Sequence, residues 1–302
     1  MTKDKIIRIL GVPFNGDGTT PAEENPAAAL RLAGITDFRP LLNWKVEDLG
    51  DIEIPAFSGI RDPDTSVLNF NEWKDISRRT AERMKFILDD AEFLIVLGGD
   101  CSILLGVFGA FALADMSVGL MMLDGHTDYR KPTSSSSGEP ADLETAVLTG
   151  AGPKQIINMF GKVPLINPHD IVVCGYREPD MIEDSKIRHF SAEELKQIGP
   201  DRLAQQALEH ISRPKDLWFH LDVDVFDPEI MSVCFPEPGG LNHDEIFLFL
   251  EKCMTSGRFI GISIACYHPK RDPDLRAASK LAEIVKPAIL MSVNEPRTEK
   301  PV

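Results

Sequence analysis

Short, almost wholly apolar runs alternate along this chain with longer segments of helical periodicity. Runs of this kind are typical of strands buried on both faces of a parallel sheet, because a half-exposed strand would alternate apolar with polar residues. The predicted strands are Ile6–Leu10, Phe93–Leu97, Val118–Leu123, Ile171–Cys174, Leu217–Leu221 and Phe259–Ile264. The alternation therefore predicts an α/β fold with a mostly parallel sheet and helices on both faces.

The segments between the strands carry the predicted helices. These are Ala27–Leu32, Trp73–Leu88, Ser102–Ala114, Glu193–Gln197, Arg202–His210, Asp244–Cys253 and Leu275–Val285. Capping boxes are predicted where Ser191 precedes Glu194 and where Asn242 precedes Glu245. With no internal repeat or long linker, we expect a single domain over residues 1–302, with a frayed polar tail over 293–302.

Three of the predicted strands end in segments rich in ionisable side chains. The segments are 98–102 (GGDCS), 124–128 (DGHTD) and 220–228 (HLDVDVFDP). Side chains at i, i+2 and i+4 of an extended backbone point the same way, so Asp124, His126 and Asp128 should converge, as should Asp222 and Asp224. The carboxyl ends of parallel strands form a ligand-binding crevice. We therefore expect these groups to meet there.

Four carboxylates and an imidazole at one point would repel and desolvate one another without a cation. Oxygen ligands with one imidazole suit Mn²⁺ or a similar ion, and the ligands are numerous enough for two ions. A single Asp-x-Asp pair at a strand end is often no more than a pair of loop caps. Two such motifs, each following an apolar strand of the same fold, favour a metal site.

Charge and cysteine content exclude several other classes of protein. The chain has 47 acidic against 32 basic residues, a net charge of −15, which disfavours nucleic acid or an anionic membrane as partner. Its five cysteines are scattered and odd in number, which is typical of the reducing cytoplasm. The longest apolar run, Ile103–Ala114, is well short of the ~20 residues of a membrane span. We expect a cytoplasmic protein with a small-molecule partner.

The three segments resemble the signature blocks of the ureohydrolases, which include arginase, agmatinase and formiminoglutamase. The opening Gly11-Val-Pro-Phe14 and Pro26-Ala-Ala-Ala-Leu-Arg31 are also similar to the start of these enzymes. The resemblance implies a three-layer α/β/α sandwich, two Mn²⁺ ions and assembly as a trimer or hexamer. It implies hydrolysis of a linear C–N bond in a guanidino or amidino compound, with a metal-bridging hydroxide as nucleophile.

By position, the resemblance also implies a ligand set. The implied ligands are Cys101, Asp124, His126, Asp128, Asp222 and Asp224. Asp124 and Asp222 would bridge the two ions. Cys101 and Asp128 would complete the ligands of one ion, and His126 and Asp224 would complete those of the other. Histidine is usual at the position of Cys101, so Zn²⁺, Fe²⁺, Co²⁺ or Ni²⁺ are alternatives to Mn²⁺, since thiolate is the softer ligand. Three other interpretations of Cys101 stay open. It is a protonated thiol that binds metal poorly, a buried structural residue, or a nucleophile. The sequence assigns no nearby histidine as the base that a nucleophile would need.

Two acid–base residues usual in relatives are missing here. No histidine stands between His126 and His169, where arginase-like enzymes carry a proposed proton shuttle, and no glutamate stands between 252 and 282, where guanidine-cleaving members keep one. Substitutes follow a serine-rich loop at 131–140, which could also be an unstructured spacer. The candidate catalytic residues are Asp128, Asp142 and Glu144, and the candidate substrate-binding residues are Ser137, Asp142 and His268.

Each substitute has an alternative interpretation. Asp142 and Glu144 also suit solvated charges at a helix N-terminus, and His268 with Asp272 also suits a surface turn. The missing residues leave two rival functions open beside the hydrolase of linear amidines: a non-catalytic regulatory or assembly protein, and a metallo-amidohydrolase of another substrate class.

Overall fold

The computed structural model of the protein describes residues 5–18, 24–38, 44–88, 91–178, 185–231 and 237–294. Eight strands form one sheet. They are β1 (Lys5–Val12), β2 (Trp44–Asp51), β3 (Phe93–Gly98), β4 (Val118–Leu123), β5 (Ile171–Tyr176), β6 (Arg188–Ser191), β7 (Asp216–Asp222) and β8 (Phe259–Ala265). Every strand pair is parallel, and the order is β2-β1-β3-β8-β7-β4-β5-β6. The predicted α/β class with a parallel sheet is confirmed.

Helices cover both faces of this sheet. They are α1 (Pro26–Leu32), α2 (Phe70–Leu88), α3 (Leu104–Leu113), α4 (Glu144–Leu148), α5 (Lys154–Ile157), α6 (Ala192–Ile198), α7 (Pro200–His210), α8 (His243–Met254) and α9 (Arg276–Asn294). Alternate strand residues enter two separate cores: Ile95 packs with α1 and α6 to α9, whereas Leu94 and Val96 pack with α2 to α5. The result is the predicted three-layer α/β/α sandwich.

All six predicted strands are present, each within two residues of its predicted ends. The two strands that were not predicted, β2 and β6, are the edges of the sheet. β2 is polar and largely exposed, and β6 has only four residues. An edge strand needs apolar side chains on fewer positions than a central strand, so the apolar-run signal fails there.

The seven predicted helices are also present, and both capping boxes form as expected. The very short α4 and α5 were not predicted, and the helix expected from Ser102 begins as a 3₁₀ turn, Cys101–Ile103. α9 extends through Pro287 to Asn294, because Ala288, Ile289 and Val293 keep one face of the helix buried beyond the proline. Residues 293 and 294 of the expected frayed tail are therefore helical, and 295–302 lie outside the described residues. Within the described ranges, no helix is both long and apolar enough to cross a bilayer.

The strand order places four chain segments at one edge of the sheet. The strands β3, β8, β7 and β4 are consecutive neighbours, and they end at Gly98, Ala265, Asp222 and Leu123. Because all four are parallel, their carboxyl ends lie side by side. Each of these ends leads directly into a segment that carries ionisable or sulfur-bearing side chains.

Candidate metal centre and active site

The segment after β3 brings Cys101 into the interior. Gly99 passes so close to the carbonyl oxygen of Phe14 that a Cβ atom would overlap it, which requires glycine. Asp100 then caps the 3₁₀ turn by accepting a hydrogen bond from the Ser102 amide at 3.0 Å. Cys101, the first residue of that turn, is therefore held at the sheet edge and is buried.

Two aspartates each use one carboxylate oxygen to fix a local turn, and a third joins two segments. Asp124 Oδ1 accepts from the His126 amide at 2.7 Å, and Asp222 Oδ1 accepts from the Asp224 amide at 2.7 Å. Asp224 Oδ1 accepts from the Gly125 amide at 3.0 Å, which ties the second segment to the third. The loop-cap interpretation is thus correct for one oxygen of Asp124 and one oxygen of Asp222.

The second oxygen of each aspartate faces the centre. Asp222 Oδ2 lies 2.7 Å from Cys101 Sγ, and Asp124 Oδ2 lies 3.9 Å from the same sulfur. Asp224 Oδ2 lies 2.9 Å from His126 Nδ1. The aspartates therefore combine a structural role with a set of inward-facing oxygen atoms.

The side chains converge by a different route from the one predicted. β4 ends at Leu123, so residues 124–128 are not an extended strand, and Asp224 lies within the 3₁₀ turn Val223–Val225. Asp128 has a left-handed backbone with φ of 47°, which is uncommon for a non-glycine residue. The prediction that alternation along an extended backbone brings these side chains together was wrong. Tight turns after the strands orient them instead.

Among the residues that the structure describes, four sets of three potential ligand atoms lie within 4.8 Å of one another. The sets are Asp124, His126 and Asp224; Cys101, Asp128 and Glu144; Cys101, Asp124 and His220; and Cys101, Asp222 and Cys266. All six residues of the predicted ligand set occur in these groups. His220 and Cys266 join them without having been predicted as site residues, and Glu144 was predicted only as a catalytic acid.

Burial and mutual repulsion disturb the ionisation of these carboxyls. Burial, reinforced by the charge of Asp224, raises the pKa of Asp124 to about 7. Burial and neighbouring carboxylates also raise the pKa of Asp128 and of Asp222 well above the usual range. Burial alone would lower the pKa of His126, but its hydrogen bond to Asp224 raises that pKa to about 10, and the same bond lowers the pKa of Asp224 against the effect of burial.

The surroundings of Glu144 show whether a cation would fit among these residues. Its side chain is 0% exposed, and neither carboxylate oxygen has a hydrogen-bond partner among the described residues. Burial, with the charge of Asp124, raises the pKa of Glu144 well above normal. The interpretation of Glu144 as a solvated loop charge is therefore wrong. A buried carboxylate without donors is a group that a positive ion would stabilise.

Arg177 is a buried guanidinium beside the cluster, and it does not replace such an ion. It packs against Gly125 and lies 3.5 Å from Glu237 Oε2. Its three guanidinium nitrogens make no hydrogen bond within the described part of the chain. Its charge favours ionisation of Asp124 and Asp224 without a hydrogen bond to either within the described residues. An oxygen-rich donor set with one imidazole and a thiol fits divalent metal ions.

His220 was not predicted as a site residue, and the expectation that no histidine lies near Cys101 was wrong. The buried ring places Nε2 3.3 Å from Cys101 Sγ and Nδ1 2.7 Å from Ser263 Oγ. Burial lowers the pKa of His220 to about 3, so the ring is neutral. A signal existed: His220 precedes Asp222 by two residues in β7 and therefore points to the same side of the sheet.

A cavity of about 260 Å³ opens over the cluster. Its described lining residues are Cys101, His126, Asp128, Arg130, Ser136, Ser137, Glu139, Ala141, Asp142, Glu178, Asp222, Asp224, Glu237 and Cys266. Burial, with the charge of Asp142, raises the pKa of Glu139 to about 7. The cavity includes two of the three predicted catalytic residues, Asp128 and Asp142, whereas Glu144 lies behind them.

The serine-rich loop forms part of the cavity wall, so its interpretation as an unstructured spacer is wrong. Ser135 and Ser137 donate hydrogen bonds to Asp142 Oδ2 at 2.5 and 2.8 Å. Arg61 donates to the carbonyl oxygens of Ser135 and Ser136 at 2.8 and 3.0 Å. Asp142 therefore holds this loop in place as well as lining the cavity.

His268 is not among the described residues that line the cavity. It precedes a 3₁₀ turn, Pro269–Arg271. The nearby Asp272 is buried and accepts hydrogen bonds from the Tyr267 hydroxyl and the Ala278 amide, both at 2.9 Å. This geometry agrees with turn chemistry rather than with the expected contact between His268 and a substrate.

Comparison with known proteins agrees with the fold. The family model described as the arginase family matches residues 5–291, nearly the whole chain. The chain belongs to the arginase family. Its resemblance to the ureohydrolases is thereby confirmed.

Individual arginase-family relatives match along almost their full length. The arginase of Bacillus subtilis (strain 168) is 26% identical over 290 residues, covering 94% of this chain and 97% of the relative. The native structure of arginase from Bacillus caldovelox is 25% identical, with a TM-score of 0.86 over 97% of this chain and all of the other. Formimidoylglutamase from Bacillus subtilis shares the fold, with a TM-score of 0.74 at 18% identity over 97% of this chain and 88% of the other.

Proposed function

We propose that this arginase-family chain is a metal-dependent hydrolase of a linear C–N bond in a guanidino or amidino compound. One observation carries the proposal: Asp124, Asp128, Asp222 and Asp224 are buried together below a cavity, with His126 paired to Asp224. Membership of the arginase family supports the reaction class. Arginase and agmatinase activities are both within the proposal.

The residues divide into two proposed metal subsites. Asp124, His126 and Asp224 would hold one ion, for which Mn²⁺ is the proposed metal because oxygen and imidazole are its preferred ligands. Cys101 and Asp128 would hold the second, and Asp124 and Asp222 would reach both. When bound, two divalent cations supply Lewis acidity and lower the pKa of water enough to provide a nucleophile near neutral pH.

The lining of the cavity favours a cationic substrate. Among the described lining residues, seven carry carboxyl groups and one, Arg130, carries a guanidinium. A cleft lined mainly by one sign of charge concentrates ligands of the opposite sign. A protonated guanidine or amidine is such a ligand, and we propose that Ser137 and Asp142 contact its polar end.

Proton transfer requires a group that holds a proton near neutral pH. Asp128 lines the cavity, but as a proposed ligand of the second ion it would be a carboxylate without a proton when that ion is bound. Asp142 also reaches the cavity, where one of its oxygens accepts two serine hydroxyls. Because Asp142 lies outside the proposed ligand set, we place it first among the candidate acids, ahead of Asp128 and of Glu144, which is buried behind them.

The test combines metal analysis with product release. Protein purified without chelator is expected to hold about two divalent ions per chain and to release urea or an analogous amide from a panel of arginine, agmatine and formimino compounds. Asp124→Asn should lose tight metal binding and turnover together, because Asp124 reaches both subsites. Asp170→Asn is the matched control, since Asp170 is a buried aspartate paired with Arg213 away from the cavity.

Turnover by Asp124→Asn equal to that of the unmodified protein would contradict the proposal. A folded protein that binds no divalent ion and releases no product would instead favour a non-catalytic member of the family. Release of acetate rather than urea or ammonia from acylated substrates would indicate a metallo-amidohydrolase of another class.

A further inference from the structure

Cys266 brings a second thiol to the cluster. It follows β8, and its sulfur lies 3.7 Å from Cys101 Sγ. Cys101, Cys266 and Asp222 each offer a ligand atom within 4.8 Å of the other two, and all three residues line the cavity. The two cysteines are thus adjacent at the base of the cavity, although 165 residues separate them in the sequence.

The separation of the two sulfur atoms matches a shared metal ion. Zn²⁺ binds thiolate sulfur at about 2.3 Å with tetrahedral geometry, which places two sulfur ligands about 3.8 Å apart. The sulfurs of Cys101 and Cys266 are already at that separation. A disulfide would require them to approach to about 2.0 Å. Metal binding needs almost no rearrangement of either side chain.

The backbone at Cys266 is held in an unfavourable conformation. Its φ of 62° is left-handed, a region that is strained for an ordinary residue and that glycine adopts freely. The Cys266 amide donates to the Gly99 carbonyl at 2.6 Å, which joins the ends of β8 and β3. A residue with a side chain at such a position indicates a use for that side chain.

A hydrogen-bond chain behind Cys101 orients its sulfur. Trp218 Nε1 donates to Ser263 Oγ at 2.9 Å, and that hydroxyl lies 2.7 Å from His220 Nδ1. The Ser263 hydroxyl can accept from Trp218 and donate to Nδ1, and in that tautomer the ring proton on Nε2 faces Cys101 Sγ at 3.3 Å. Partners of this kind fix metal ligands and tune their basicity.

We propose that Cys266 joins Cys101 and Asp222 as a ligand of the second subsite, which makes it a dithiolate site for a soft divalent ion of the Zn²⁺ type. The proposal deepens the proposed function and rests on it, since it assigns the chemistry of the second metal subsite. On binding, each thiol releases its proton to solvent and donates a sulfur electron pair to the ion. The two subsites are then chemically different, because the one at His126 has only oxygen and nitrogen ligands.

Cobalt provides a direct count of the thiolates. Metal-free protein is titrated with Co²⁺, and the near-ultraviolet sulfur-to-cobalt charge-transfer band is recorded together with the stoichiometry by equilibrium dialysis. We expect a band of two thiolates in the unmodified protein and about half that intensity in Cys266→Ala and in the more conservative Cys266→Ser. Zn²⁺ affinity should fall more than about 100-fold in both variants, because a direct ligand is lost.

Two controls separate the subsites. Cys253→Ala, at a buried cysteine of α8 away from the cavity, should keep the full band. Asp224→Asn should lose one cobalt equivalent but keep the sulfur band. Circular dichroism and thermal unfolding of each variant establish that it is folded.

The outcomes distinguish the two proposals. A band in folded Cys266→Ser equal to that of the unmodified protein overturns the dithiolate subsite. Two bound cobalt ions without any sulfur band also overturn it, but leave the proposed hydrolase standing. Failure of the folded protein to bind cobalt at all overturns both.

Discussion

At the scale of single residues, the buried carboxyl groups of the centre destabilise one another's ionised forms. Asp128, Asp222 and Glu144 all have raised pKa values because burial and like charge oppose their ionisation. Glu144 is the extreme case, since no described donor reaches either of its oxygens. In the proposed metal centre, the ions offset this cost.

Glu144→Leu should therefore separate stability from metal binding. Replacing a buried, unpaired carboxyl by an apolar side chain of similar size is expected to stabilise the metal-free protein by about 1–4 kcal/mol. The same change should weaken divalent metal binding, because a nearby negative charge is lost. Urea unfolding in chelator, with and without excess metal, measures both effects.

The exposed Glu209 provides the control for that experiment, since Glu209→Leu should change neither quantity appreciably. Equal destabilisation by Glu144→Leu in both conditions would show that Glu144 has an ordinary packing role instead.

The residues of the centre were predictable where their types form a pattern. Asp124, His126 and Asp128 form such a pattern in sequence, and the structure gathers them, although by turns rather than by strand alternation. Cys266 stands alone in sequence, and its role depends on the neighbouring positions of β8 and β3, which only the strand order reveals. Glu144 resembled a surface charge because nothing local indicates that α4 is buried.

At the scale of elements, central strands follow from sequence and edge strands do not. The apolar runs identified β3, β4, β7 and β8, whose ends carry the site. The unpredicted β6 is short, and of its four residues only Phe190 is buried. We nevertheless expect another of its residues to affect the stability of the protein.

His189 of β6 should make the protein sensitive to acid. Burial lowers its pKa to about 4, from an ordinary value of 6.5, and its ring packs edge-on against Tyr176. Between pH 6.5 and 4 the unfolded chain holds the extra proton, so stability falls as pH drops through this range. His189→Phe keeps an aromatic contact and should lose less stability between pH 7.5 and 4.5 in urea unfolding.

The exposed His169 is the matched position, and His169→Phe should leave the pH dependence unchanged. An identical loss of stability in His189→Phe and the unmodified protein would place the acid sensitivity elsewhere.

At the scale of the whole molecule, the wall of the cavity depends on a distant segment. Arg61 is exposed, yet it donates hydrogen bonds to carbonyl oxygens of the serine-rich loop and to that of Ser66 at 2.7 Å. The Leu68 amide adds a bond to the Gly138 carbonyl at 2.8 Å. Nothing in the local sequence predicts this contact, because the two segments are about 70 residues apart.

Arg61→Ala should loosen this loop without unfolding the protein. We expect amides of residues 133–138 to exchange with deuterium at least about tenfold faster, because local opening becomes easier. Global stability should change by less than about 1 kcal/mol, as at other surface positions. Arg78→Ala, which removes exposed ion pairs within α2, should leave that exchange unchanged.

Unaltered exchange in Arg61→Ala would show that Asp142 and the Leu68 amide hold the loop without Arg61. If the expected result is found, a mutational survey ranked by burial or by nearness to the reacting groups would overlook this position. Substitution of this exposed arginine in natural variants would then change which compounds the protein accepts. New substrate specificity would thus arise by mutation at a residue far from the reacting groups.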